Sequence, residues 1–206
     1  MARDTQSIVK QSRREGYALH PKAHKALVKR TALPGQQNSG GYSNRKPSQY
    51  SIQLREKQKV KRLYGLLERQ FTKLMTEASR TKGQSGATLL EFLERRLDNV
   101  VYRSGLAISR RSARQLVSHG HFMLNGKRTD IPSIRVKEGD IIIVRDHSKA
   151  SDYFKRIDDV SPAPAAIPTW LKVNRKKLEI NVSGKPQRDD AEADIKEQLI
   201  VEYYSR

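Results

Sequence analysis

Residues 88–145 constrain this chain most, because helix, turn and strand signals fall there in close succession. Thr88 followed three residues later by Glu91 is a capping box and predicts a helix start. Leu90, Leu93, Leu97, Val100 and Val101 then recur as one apolar stripe. Glu91, Glu94, Arg95 and Asp98 lie mostly off it, and Gly105 is a stop. Ser109 is a second N-cap, opening a short helix over 110–118 whose narrow buried face is Ala113, Leu116 and Val117 and which Gly120 ends. Asn125-Gly126 after Phe122, Met123 and Leu124 signals a type I′ hairpin, and Ile141 to Val144 reads as a further strand.

The charges on this framework point outward. Arg110 and Arg114 are four apart and project from one side of their helix, with Arg111 and Gln115 beside them. No carboxylate lies between Asp98 and Asp130, while Arg103, Arg110, Arg111, Arg114, Lys127 and Arg128 do. Arginines crowded on a short helix repel one another unless an anion neutralises them, and the planar guanidinium fork suits phosphate. The hairpin turn is expected to bring Lys127 and Arg128 back beside the helix.

The rest of the chain extends this basic character. Its 206 residues carry 41 Lys plus Arg against 22 Asp plus Glu, a net charge of +19, with 36% hydrophobic residues. Such a balance implies a polyanionic partner. Residues 1–60 hold 13 basic and 3 acidic side chains, whereas residues 151–206 hold 10 of each. The polyanion is therefore expected on the first three quarters, and packing or a protein contact on the last. The chain has no Cys, which excludes disulfides and thiolate zinc sites. It shows no signal peptide and no apolar run long enough to cross a bilayer, so a soluble, intracellular protein with no membrane role is expected.

Residues 1–50, rich in Lys, Arg, Gly, Ser and Pro, have little with which to build a core. They read as a basic extension that orders on RNA, with a short turn near residues 12–16 and a helix over 23–30. His20 and His24 lack an evident third ligand, and no metal or cofactor is expected. Residues 48–82 are the most helical. Their stripe is Leu63, Leu67, Phe71, Leu74, Met75 and Ala78, with Gly65 as a kink or a division. Arg55, Lys57, Lys59, Lys61 and Arg62 crowd its start, and Tyr50 is expected to cap the helical part rather than stack on a base. Residues 152–160 are helical by pattern, and the prolines of 161–168 make a stiff connection. Residues 170–173 and 177–182 alternate like two paired strands, and Asp194 is the expected cap of a last helix. No nucleophile, base or metal constellation stands out, and Asp189 and Asp190 read as a solvated loop, so no enzyme is expected.

Residues Leu97 to Arg103, Ala113 to His119 and Asn125-Gly126 resemble the RNA-binding domain named after small-subunit ribosomal protein S-four. Residues 12–16, Pro34 to Gln36, 53–60, 64–71, Pro168 to Leu171 and 197–206 extend the resemblance to the bacterial ribosomal S-four family over nearly the whole chain. The resemblance implies an α+β fold. A mainly helical domain from residues 46–90 and 160–206, carrying a small C-terminal β element, would hold an inserted small α/β RNA-binding domain at 91–155, with 1–45 as the basic extension. It implies a structural constituent of the small (30S) subunit in the cytoplasm, binding the 5′ domain of 16S rRNA at a multi-helix junction early in assembly. It also implies a contact with ribosomal protein S-five that supports translational accuracy, and a position near incoming mRNA. Some relatives carry a four-Cys zinc cluster; the aligned positions here are Val9, Ser12, Ala26 and Thr31, so the zinc is not carried over.

The mechanism this suggests is binding without chemistry. Double-stranded RNA is read by shape, phosphate and 2′-hydroxyl contacts, because its major groove is too narrow for side chains. On the inserted domain the expected rRNA-binding residues are Arg110, Arg111, Arg114, Gln115, His119, Asn125, Lys127 and Arg128. On the N-terminal part they are Arg3, Lys10, Arg13, Arg14, Arg55, Lys57 and Lys59. The alternative is a stand-alone structured-RNA chaperone, or an accessory to an RNA-modifying enzyme, built on the same domain. Such a protein need not carry the matching segments 1–80 and 168–206.

Overall fold

The structure, a computed structural model, describes residues 4–30, 32–35, 46–164 and 166–205. It divides into two units, one of residues 1–86 with 194–206 and one of residues 87–193.

The first unit is helical: α1 (Ile8–Glu15), α2 (His24–Lys29), α3 (Gln49–Leu63), α4 (Glu68–Arg80) and α11 (Glu197–Tyr204), the last numbered in chain order after the helices of the second unit. The buried face of α3 is Gln53, Lys57, Val60 and Leu63, a helical stripe with two polar members. Each finds a partner: Gln53 donates to Glu202 on α11 (2.8 Å), and Lys57 donates to Glu68 at the start of α4 (2.7 Å). Gly65 divides the expected long helix. It takes φ +64, and the Leu66 N–H returns to the Lys61 carbonyl (2.9 Å), closing α3 with a Schellman-type end. The stripe resumes on α4 as Phe71, Met75 and Ala78.

Two expectations are corrected in this unit. Residues 8–29 are not a loose extension. Gln11, Ser12, Leu19 and Ala23 are buried, and the Glu15 carboxylate, itself fully buried, meets Arg55 and Arg62 of α3. The fold supplies the core contacts that the segment lacks alone. Asp194 does not cap α11, which begins at Glu197; its carbonyl instead accepts from Lys59 (2.7 Å), and the Lys196 N–H donates to Glu56 (2.9 Å).

The second unit carries most of α5 (Ser85–Glu94), then α6 (Leu97–Arg103), α7 (Arg110–Ser118), β1 (Phe122–Leu124), β2 (Lys127–Thr129), β3 (Ile141–Val144), the short helices α8 (Asp146–Lys149), α9 (Asp152–Lys155) and α10 (Ile157–Val160), and β4 (Leu171–Asn174) and β5 (Glu179–Val182). The strands form one antiparallel sheet in the order β2-β1-β3-β5-β4. β4 and β5 pair with each other as expected, but β5 also pairs with β3, with Ile142 opposite Ile180. The C-terminal β element therefore belongs to this sheet and not to the helical unit. The reason is the core: Ile142, Val144, Ile180 and Val182 share one apolar cluster with Leu97, Val100 and Val101 of α6 and Ala113 and Val117 of α7. Each such side chain contributes roughly 1.5–3 kcal/mol on burial, so separating the two hairpins would expose most of it.

The helix expected from residue 88 onward is two helices. α5 starts at Ser85, and the backbone leaves helical form at Arg95 and Arg96 to pair with the segment 132–136. Leu97 N–H donates to the Ile134 carbonyl (2.8 Å) and Val136 N–H to the Arg95 carbonyl (2.9 Å). Arg96 then clasps Asp98 with two hydrogen bonds of 3.1 and 3.0 Å.

Candidate nucleic-acid interface

The face begins with the capping of α7. Ser109 Oγ accepts from Ser112 N–H (3.2 Å), as the sequence suggests. Ala113 and Val117 turn into the core, and at 100° per residue this leaves Arg111, Gln115, Ser118 and His119 exposed on the opposite side. The turn beyond β1 is the expected type I′: Asn125 and Gly126 both have positive φ, 50° and 78°. It returns the exposed Lys127 and Arg128, and the guanidinium of Arg128 lies over Gly120 at the end of α7, where a Cβ would come within 2.9 Å of its Nε. Arg111, Gln115 and His119 on the helix, with Lys127 and Arg128 on the hairpin, thus form one polar, basic platform.

Arg110 and Arg114 turn instead to groups of their own unit. Arg110 donates to Asn99 Oδ1 and to Glu192 Oε1, both at 2.9 Å, and covers the Tyr102 ring at 4.5 Å. Burial pushes the Glu192 pKa up, but the nearby Arg110 and Arg103 outweigh it, and the net shift is downward. Arg114 Nε sits 3.0 Å from Asp98 Oδ2 as an ion pair rather than an aligned hydrogen bond. The neutralising anions for these two arginines come from within the fold, at Asp98 and Glu192. Asn125 is also occupied: its side chain donates to Asp140 (2.8 Å) and accepts from Ile141 N–H (2.9 Å), holding the turn on β3.

In the first unit, Lys10 and Arg14 are four apart and exposed on α1, on the side away from buried Ser12. Arg13 turns to the Ala32 carbonyl (2.7 Å). Arg55 remains 41% exposed while paired with Glu15 (3.3 Å). Lys57 and Lys59 meet partners within the unit. Lys57 is 3% exposed, bound to Glu68 and 4.8 Å from the centre of the Tyr203 ring. Lys59 pairs with Glu56 (2.8 Å). Arg3 lies outside the described residues. Sequence reasoning missed the exposed Lys22, Lys25, Lys29 and Arg30 around α2, for which the density of positive charge before residue 31 was the available signal. Tyr50 is 49% exposed, with its ring 5.8 Å from that of Tyr203.

Among the described residues no group of three or more His, Asp or Glu could hold a metal, and no helix is long and apolar enough to cross a membrane. Ser12, at one aligned position of the relatives' zinc cluster, donates to the Ile8 carbonyl (2.8 Å) and accepts from Leu19 N–H (3.3 Å), and Thr31 lies outside the described residues.

A basic helix-and-hairpin platform on a small α/β unit, in a chain that also carries a basic helical unit, is the build of an RNA-binding protein. Comparison with known proteins narrows the class. The family model described as ribosomal protein S4/S9 N-terminal domain matches residues 3–94, and the S4 domain model matches residues 95–142. The small ribosomal subunit proteins uS4 of Herpetosiphon aurantiacus, Clostridioides difficile and Chloroflexus aurantiacus are each 49% identical, over 100% of this chain and 100% of theirs. The chain belongs to the ribosomal protein S4 family. The two family models meet where α5 gives way to α6, and the S4 domain match stops inside β3, short of the β4–β5 hairpin that completes the sheet.

Proposed function

We propose that this protein is a structural constituent of the small ribosomal subunit that binds ribosomal RNA, with no catalytic step of its own. The observation that carries this reading is the full-length match at 49% identity to uS4 proteins, together with the exposed Arg111–Gln115–His119 face and the Lys127–Arg128 hairpin. Because the match runs over the entire relatives, it does not favour the stand-alone chaperone, which need not carry both flanking segments.

The finer reading is that it is a primary binder of the 5′ domain of 16S rRNA. Grips from the helical unit and from the platform would orient the helices of a multi-helix junction as the subunit body assembles. The neutral segment 151–206 is the place to seek a contact with ribosomal protein S-five and, through it, an effect on accuracy, while a position near incoming mRNA would follow from the same placement. The test is a salt series of binding to the 5′ domain against a random duplex of equal length, for wild type and for Arg111→Ala/Lys127→Ala/Arg128→Ala. Selective binding by wild type, with a salt slope shallower by up to about three in the triple variant, is expected. Equal binding to both RNAs overturns the reading.

A further inference from the structure

Between α1, the Pro34-Gly35 turn and the end of α3 lies an open cavity of about 210 Å³. Among the described residues its wall carries three cations, Lys10, Arg14 and Arg62, with Gln6 and Gln11, and the Asp4 carboxylate behind them is taken up by Gln6 N–H (2.9 Å) and Gln11 Nε2 (2.5 Å). Gly35 closes one side with φ +95, and no atom of the described residues lies within 4 Å of where its Cβ would stand. At roughly 30 Å³ per water, the volume admits a phosphate group with a few waters.

The charges explain why the cavity suits an anion. The buried Glu15 carboxylate holds Arg62 and also serves Arg55, so one acid is shared by two guanidiniums. Lys10 and Arg14 make no hydrogen bond or ion pair among the described residues, although Arg14 is close enough to act on Glu15 through space. The fold thus fixes Arg62 from behind and leaves two further cations around the same hollow, with Asp4 engaged by Gln6 and Gln11 and no acid among the described lining residues. Oxyanions of the phosphate class are the ligands that such convergent guanidinium and ammonium donors recognise.

We propose that this cavity is a discrete site for a single phosphate group, with Lys10, Arg14 and Arg62 as its cations. The inference deepens the RNA-binding reading, since an RNA phosphodiester is one source of that group and free inorganic phosphate the other.

The test uses the full chain in two arms. In the first, inorganic phosphate is titrated against chloride at constant ionic strength while the Nε–H resonances of Arg14 and Arg62 are followed by NMR. Saturable shifts with phosphate alone, weakened roughly tenfold or more in Lys10→Gln/Arg14→Gln but not in Lys73→Gln/Arg80→Gln, are expected. Equal, non-saturating shifts with both anions overturn the proposal. In the second arm the same variants are titrated with the 5′ domain RNA. A tenfold or greater loss confined to the Lys10/Arg14 variant supports the phosphodiester as occupant. Unchanged RNA affinity with lost phosphate binding supports a free-phosphate site and leaves the RNA reading intact. Failure of wild type to select the 5′ domain removes that reading, and the first arm alone then decides the cavity.

Discussion

Helices α3 and α7 look alike in sequence, each a short run of basic residues with almost no acid nearby, yet the fold uses them differently. On α3, Lys57, Lys59, Arg55 and Arg62 all meet carboxylates inside the unit, at Glu68, Glu56 and Glu15. On α7 the arginines split: Arg110 and Arg114 face Glu192 and Asp98, and Arg111 faces out. A basic helix is therefore not a binding surface by virtue of its charge. What matters is whether acids distant in the chain have been folded against it, since a buried cation is tolerated only when paired.

The largest effect that tests this contrast is expected for Asp98→Ala. It strips the partner from Arg96 and Arg114, with Arg96 and Asp98 each 6% exposed, and removes the acceptor of Asn99 N–H. Loss of about 3–5 kcal/mol in urea unfolding is expected; a loss below about 1 kcal/mol would mean that these arginines find water and were never committed inward. Next is the neighbouring pair Arg110→Ala and Arg111→Ala. The first should cost about 2 kcal/mol, because it leaves Glu192 and Asn99 without their donor. The second should stay within about 0.5 kcal/mol and lower the RNA salt slope by about one. A reversal of the two outcomes would invert the assignment of the α7 faces.

For α3, Lys57→Met should leave the RNA salt slope unchanged, because the ammonium is already occupied, while Lys10→Met should reduce it by about one. Equal slopes for the two variants would return Lys57 to the RNA surface. The smallest effect is in the pH dependence of the first unit, where two acids act in opposite directions. Burial pushes Glu15 above its usual 4.5 despite Arg55 and Arg62, so the native state holds its proton longer than the unfolded chain. Stability then falls as pH rises from about 4.5 through the raised value. Glu68 is also raised by burial, but hydrogen bonds from Lys57 and Lys61 take it down to about 2. Its contribution is present above 4.5 and lost as pH falls toward 2. Glu15→Gln should flatten the first slope and Glu68→Gln the second, measured by thermal melts across pH 2–7; a Glu15→Gln profile parallel to wild type above pH 4.5 would remove the buried-acid account.

Local chemistry made much of the second unit readable. The Ser109 cap, the Ala113–Val117 face, the Asn125-Gly126 turn and the β4–β5 hairpin all rest on interactions a few residues long. Three features were not readable for the same reason in reverse. The break at Arg95–Arg96 has no glycine or proline to announce it and arises from pairing with residues 132–136. The docking of residues 8–29 depends on Glu15 meeting α3, and the inward turn of Arg110 depends on Glu192, which lies far along the chain.

What the amino-acid order settles alone is thus the set of helices, turns and strands within reach of local hydrogen bonds and hydrophobic period, the excess of positive charge, and the family. Which strands share a sheet, where α5 yields to α6, and which cations are paired with carboxylates of the fold were settled by packing. A β strand is completed by its neighbour and a buried guanidinium by its carboxylate, and both partners come from elsewhere in the chain.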